Sequence, residues 1–336
     1  MDTARLARAV ADGDRRALAR AITLVESTRA DHRALAVSLL GALADTGRSA
    51  LRIGLSGTPG VGKSTFIEAF GSMLTARGLR LAVLAVDPSS ARSGGSILGD
   101  KTRMERLARD PRAFIRPSPS QATLGGIARR TREAVALCEG AGFDVVIIET
   151  VGVGQSETVV AEVSDIFVLL LSPAGGDELQ GVKRGIMEVA DLIVVNKADG
   201  ALAPAAERTR ADYAGALRLL RPRPQDPPGF PKALSVSALE GTGLAEVWEA
   251  VCALADWRRA EGHWQTRRAA QSRHWFAEEV RAALLARLDA HAGARARMAA
   301  LAEAVAEGRR DPAQAAAEVL AVLDRDESLD APGQSV

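Results

Sequence analysis

One stretch constrains this chain more than any other: Gly57-Thr58-Pro59-Gly60-Val61-Gly62-Lys63-Ser64-Thr65. It satisfies G-x-x-x-x-G-K-[ST]. An apolar run over residues 51–55 precedes it, and Phe66, Ile67, Phe70, Met73 and Leu74 recur after it at helical spacing. Strand, glycine-rich turn and helix are the context that makes the pattern a phosphate-binding loop. Gly57, Gly60 and Gly62 let the backbone curl, so that successive N–H groups aim at phosphate oxygens beside a helix N-terminus that already favours anions. Lys63 adds a cation for the β- and γ-phosphates, and Ser64 a hydroxyl for Mg²⁺. A chain of this kind binds a nucleoside triphosphate.

Further apolar runs end in polar or special residues. Residues 80–86 lead into Asp87-Pro88, residues 143–148 into Glu149-Thr150, and residues 165–171 into Ser172-Pro173. Residues 192–195 lead into Asn196-Lys197, and residues 234–236 into Ser237-Ala238. Continuous apolar runs are what parallel strands covered on both faces require. Polar strand ends are where ligands gather in such sheets. The expected fold is α/β, with a doubly wound, mostly parallel sheet over residues 49–255.

Helical extensions are expected on either side. In residues 1–48, Asp14 can cap a helix carrying Leu18, Ile22 and Val25, and a second helix carries Leu35, Leu39, Leu40 and Leu43. Residues 256–330 are rich in Ala and Arg. There Phe276, Val280, Leu284 and Leu288 make one stripe, Asp311-Pro312 starts another helix, and the tail from Asp324 is expected to fray. Trp248, Trp257, Trp264 and Trp275 cluster near this junction, suiting helix-to-sheet packing or a subunit contact.

Charge excludes some classes. Lys plus Arg is 43 and Asp plus Glu is 42, a balance that gives no support for nucleic-acid or membrane-surface binding. Cys138 and Cys252 are the two cysteines and sit far apart in apolar helical patterns, as buried thiols in a reducing compartment do. The first residues lack an apolar h-region, and no run approaches the ~20 residues that span a bilayer. The expectation is a soluble, cytoplasmic protein.

Asn196-Lys197-Ala198-Asp199 fits N-K-x-D directly after a buried run. The Asp199 carboxylate can accept from both N1–H and the 2-amino group of guanine. Adenine offers neither donor and would leave a desolvated carboxylate unpaired, a penalty that supports discrimination of roughly 10⁴ or more. The Lys197 stem can cover the base, and Asn196 can brace the phosphate loop. Ser237-Ala238-Leu239 falls where a backbone N–H would meet the guanine 6-oxo group. The ligand is read as GTP or GDP rather than ATP. Asp87, Asp100 and Glu149 are the carboxylates available to Mg²⁺, which keeps several waters and takes few direct protein ligands. Each could instead be an ordinary strand-end or capping acid.

Together GTPGVGKST, AVDPSS, SGGSILGDKTRM, ETVGVGQSE, GGDELQGVKRGI and NKAD, in this order, resemble the MeaB/MMAA (formerly ArgK) group of SIMIBI-class GTPases. The resemblance covers most of residues 14–260. It implies a G-protein chaperone of a cobalamin-dependent acyl-CoA mutase, chiefly methylmalonyl-CoA mutase, with the adenosyltransferase as a further partner. GTP hydrolysis would gate adenosylcobalamin loading and protect or rescue the mutase. The resemblance also implies a homodimer with a C-terminal helical arm in the contact. By position, Lys63 and Ser64 would hold phosphates and Mg²⁺, and Asp87, Asp100 and Glu149 would support metal and attacking water. The loop over residues 175–183, with Asp177, Glu178, Gln180 and Lys183, would be a switch that reports nucleotide state, beside Gly152 and Gln155.

Val153 stands where many regulatory GTPases place a water-orienting glutamine, so hydrolysis unaided should be slow. A metallocentre-assembly GTPase is the main rival reading. It would need clustered soft or imidazole ligands, whereas His32, His263, His274 and His291 are dispersed and no Cys-x-x-Cys occurs. A small-molecule kinase on the same phosphate loop is a further rival, disfavoured by N-K-x-D.

Overall fold

The computed structural model describes residues 2–86, 104–117, 124–150, 156–173 and 184–330. The chain divides into two compact units, Met1–Arg268 and Ala269–Val336.

The first unit opens with three helices, α1 (Thr3–Ala11), α2 (Arg15–Glu26) and α3 (Ala30–Ala44). Asp14 caps α2 as its sequence position suggests, its Oδ1 accepting from the amides of Arg16 and Ala17 at 2.7 and 3.1 Å. The remaining elements alternate. They run β1 (Leu51–Gly57), α4 (Lys63–Ala76), β2 (Leu81–Val86), α5 (Glu105–Arg109), β3 (Ala113–Arg116), α6 (Leu124–Gly140), β4 (Val145–Thr150), α7 (Ser156–Val163) and β5 (Ile166–Leu171). After these come α8 (Arg184–Val189), β6 (Leu192–Val195), α9 (Ala203–Arg218), β7 (Lys232–Ser235), α10 (Leu244–Ala260) and α11 (His263–Ala290).

All seven strands form one sheet in the order β3-β2-β4-β1-β5-β6-β7, and every pairing is parallel. This is more regular than the mostly parallel sheet expected. It also contains β3, which lies at one edge and which hydrophobic patterning does not mark. From β1 and its phosphate loop the chain passes to β2 on one side, whereas the neighbouring β4 leads to β5 on the other side of β1. That arrangement places the loop at a switch point in the strand order, where ligands bind at carboxyl ends.

One face of the sheet packs on α4 and α10. Ile53, Leu55, Ile147, Val168 and Val194 meet Phe66, Phe70, Val247 and Val251 in a continuous core. Phe66 and Phe70 stack with centroids 5.2 Å apart, and Trp248 meets Phe70 edge-on at 6.2 Å. Trp248 is therefore packed, partly buried, against this core. The first three helices pack against α6, where Arg33 pairs with Glu133 and Arg48 bridges the carbonyls of Ala11 and Gly140.

At the amino ends of the strands lies a layer of buried charge. Arg258, 2% exposed, donates to Asp191 Oδ1 and Asp226 Oδ1, each at 2.6 Å, and to the Asp165 carbonyl at 2.9 Å. Arg223 donates to the same two acids, and Asp191 Oδ2 accepts from the Phe167 amide at 2.8 Å. Arg268 grips Asp165 with two nitrogens, at 2.9 and 2.6 Å, while Arg52 grips Glu139 at 2.9 and 2.8 Å.

The second unit holds the rest of α11 together with α12 (Ala292–Ala306) and α13 (Pro312–Asp330). Ala294, Leu301, Ala315 and Val319 form its small core, with Leu288, Val305 and Leu323 against it. Helix α13 runs to Asp330, past the Asp324 at which fraying is expected. Among the described residues, no helix is long and apolar enough to cross a membrane.

Candidate functional site

Strand register builds the site. Gly57 is paired with Leu170 of β5, and a Cβ at Gly57 would lie 2.3 Å from the Leu170 carbonyl oxygen, so only glycine fits at this exit. Gly62 has φ +91°, and a Cβ there would lie 2.7 Å from Asn196 Nδ2. Left-handed backbone and close approach coincide at Gly62, the cap from which α4 starts. Ser64 is half-buried and Thr65 exposed in the first turn of that helix. Val61 is buried and anchors the loop from below.

The Lys63 ammonium folds back over the loop, donating to the carbonyls of Gly57 at 2.7 Å and Thr58 at 3.4 Å. Burial pushes its pKa below the ordinary lysine value, against the opposing pull of Glu149 and Glu157. Those acids reach it from β4 and from the first turn of α7. Glu149 pairs in register with Leu55 of β1 and Ala85 of β2, and both it and Glu157 are buried. Next to Glu149, Thr150 Oγ1 donates to Ser56 Oγ at 3.0 Å, tying the ends of β4 and β1 together beneath the loop. Glu157 and the Thr150–Ser56 bond carry no signal in the sequence that assigns them a role.

The N-K-x-D residues assemble beside the loop. Asn196, buried, donates from Nδ2 to the Val61 carbonyl at 2.9 Å and accepts at Oδ1 from the Ala238 amide at 3.1 Å. One side chain thus ties the phosphate loop to the loop after β7. Lys197 has φ +60°, the left-handed region, and its Nζ donates to the Gly60 carbonyl at 2.7 Å. Its stem therefore runs alongside the phosphate loop. The Ser237 hydroxyl donates to the Asp199 carboxylate and accepts from the Glu240 amide at 3.0 Å. A bridge between Ser237 and Thr242 closes that turn. Leu239, 80% exposed, stands open at its tip. With the Ala238 amide held by Asn196, the turn is fixed at both ends.

Donor chemistry decides what cation suits the site. Ser64 and Glu149 supply oxygen only, and among the described residues no three His, Cys, Asp or Glu side chains group to hold a metal. An ion that takes one or two protein oxygens and otherwise phosphate and water fits such a set; one needing a full protein cage does not. Asp87, Asp100, Gly152, Val153, Gln155, Asp177, Glu178, Gln180 and Lys183 lie outside the described residues.

Comparison with known proteins is consistent along the chain. The profile of the family described as methylmalonyl Co-A mutase-associated GTPase MeaB matches residues 18–293. GTPase ArgK of Escherichia coli (strain K12) is 50% identical over 284 residues, spanning 84% of this chain and 85% of its own. The mitochondrial methylmalonic aciduria type A homolog of Mus musculus is 48% identical over 322 residues, spanning 93% of this chain and 77% of its own. The crystal structure of an LAO/AO transport system kinase superposes with a TM-score of 0.71 at 39% identity, covering 96% of this chain and 97% of that one.

Proposed function

We propose, from the premise that this chain belongs to the MeaB family of methylmalonyl-CoA mutase-associated GTPases, that its GTP cycle gates the loading of adenosylcobalamin into a cobalamin-dependent acyl-CoA mutase. Methylmalonyl-CoA mutase is the foremost client, and the same cycle protects and reactivates it. The adenosyltransferase that supplies the cobalamin is a further partner.

The observation that carries the guanine reading is the pinned Asp199 carboxylate. Ser237 holds one oxygen, so the group is presented in a fixed orientation rather than free to rotate. A carboxylate so fixed pairs with the two adjacent donors of guanine and meets none on adenine. Asn196 couples that recognition to the phosphate loop through Val61.

The amides of residues 57–65 bind the phosphates, with the α4 dipole behind them. The Lys63 ammonium, now resting on the Gly57 and Thr58 carbonyls, moves onto the β- and γ-phosphates when these arrive. Ser64 and Glu149, with Asp87 and Asp100, are the residues that would hold Mg²⁺ and its waters. The ion would neutralise charge on the transferring phosphoryl group. Glu149 and Glu157, both buried, exert the opposing negative pull on the Lys63 ammonium. The loop over residues 175–183 reports the nucleotide state to the mutase, and the C-terminal arm joins two copies into a homodimer.

The deciding experiment follows adenosylcobalamin from the adenosyltransferase to apo-mutase in the presence of this protein. Transfer should proceed with GTP and stall with a non-hydrolysable GTP analogue. Equal transfer with either nucleotide, or with none, would remove gating from the account.

A further inference from the structure

A second concave surface lies at the far end of the sheet from the phosphate loop. It is a cleft of about 570 Å³ between the last turn of α9, the loop that follows it and the first residues of β7. That volume falls within the roughly 300–1,000 Å³ usual for ligand sites. Leu217, Phe230 and loop prolines supply its apolar lining. Arg218, Arg221 and Lys232 bring cations to it.

Charge here is one-sided. Between residues 218 and 232 the sequence holds Arg218, Arg221, Arg223 and Lys232 against a single acid, Asp226, in a chain whose overall net charge is only +1. That acid is turned inward and held by Arg223 and Arg258. Arg223 is likewise spent on Asp191 and Asp226. Arg218 and Arg221 are exposed and make no ion pair among the described residues, while the Lys232 ammonium rests 4.5 Å from the Phe230 ring centroid. Exposed arginines are often merely solvated. These converge on an apolar concavity instead, and the loop beneath them is stiffened by Pro222, Pro224, Pro227, Pro228 and Pro231. A preformed loop loses little entropy when something docks on it.

We infer that this cleft docks an extended acidic segment of a partner protein, with carboxylates on Arg218, Arg221 and Lys232 and apolar side chains on the half-buried Leu220 and Phe230. Open shape favours a peptide over an enclosed small molecule. Complementary charge supplies orientation and approach rate, and the apolar floor supplies selectivity among acidic chains. The cleft is separate from the nucleotide site, so its occupant can be bound in either nucleotide state.

The test uses the full chain loaded with GDP and fluorescent peptides about eight residues long, enough to cross the cleft in extended form. Alternating Glu–Leu, Glu–Gly and Lys–Leu peptides are compared by anisotropy, and amide exchange locates the contact. The Glu–Leu peptide should bind and protect residues 217–233. R218E/R221E should weaken it by about tenfold or more, and K232E should act in the same direction. The control R5E/R8E, which alters exposed arginines of α1, should leave binding unchanged. Glu–Gly should bind about tenfold more weakly, and Lys–Leu should not bind. Unaltered GDP affinity in each variant certifies the fold. No binding of Glu–Leu at about 1 mM would overturn the proposal. So would equal loss in R5E/R8E, or protection elsewhere.

Discussion

Asn196, at the carboxyl end of β6, holds the Val61 carbonyl of the phosphate loop at 2.9 Å while its other amide atom receives the Ala238 N–H. Base recognition and phosphate recognition are therefore mechanically joined through one buried amide. In Asn196→Ala both partners lose their bonds in a buried place, a cost of about 1–3 kcal/mol for each orphaned group. GDP and GTP affinity should fall together by about tenfold or more. Calorimetry checks the affinity, and faster amide exchange across residues 57–63 checks the cause.

Asp199→Asn replaces an acceptor with a donor at the fixed position beside Ser237. Guanine nucleotides should bind at least about a hundredfold more weakly, and xanthine nucleotides should bind better than guanine ones. Competition between GDP and XDP measures the exchange. Unchanged guanine preference would move recognition away from Asp199.

The buried acids at the opposite end of the sheet predict a pH dependence of stability. Burial pushes Asp191 up, but the Arg258 and Arg223 charges more than reverse this and hold it below the usual carboxylate value. A depressed folded value adds stability above the unfolded pKa near 3.9, and that stability is lost as pH falls through the folded value. The Tm difference between the native chain and Asp191→Asn should therefore be flat from about pH 5 to 7 and shrink below about pH 4. Arg258→Met leaves two buried carboxylates without their main cation and should cost about 3–5 kcal/mol by chemical denaturation.

The apolar stripe of α11 is exposed where it should not be on an isolated chain. Phe276 is 71%, Val280 43% and Leu284 58% exposed. A chain ending before Trp275 keeps Arg267 and Arg268, which bind Ser164 and Asp165 in the first unit. It should bind GTP normally and run as a monomer by light scattering, whereas the full chain should run as a dimer. A truncated dimer would place the contact in the first unit.

Much of this architecture is legible because its causes are local. Buried parallel strands must be continuous apolar runs, so β1, β2, β4, β5 and β6 announce themselves, and the glycines and Lys63 of the phosphate loop mark the site. Strand β3 does not, because Ala113–Arg116 is four residues long and half covered at an edge. Glu157 reads as an ordinary acid in a helix's first turn; only the register of β4 against β1 and the start of α7 bring it near Lys63. Arg258 reads as one more arginine of a basic helix. Its burial is decided by Asp191 and Asp226, far away in sequence, and such pairings are set by the assembled sheet.

GTP hydrolysis should answer to the mutase. The direct measurement is GTP turnover by the native chain, Asp177→Ala and Lys183→Ala, each with and without the mutase, beside GTP affinity on the same preparations. The native chain should hydrolyse slowly alone and accelerate on adding mutase. Both variants should keep GTP affinity within a few-fold and lose about 5- to 150-fold of the stimulation. Fast turnover that no mutase changes would contradict the account, as would full stimulation in both variants.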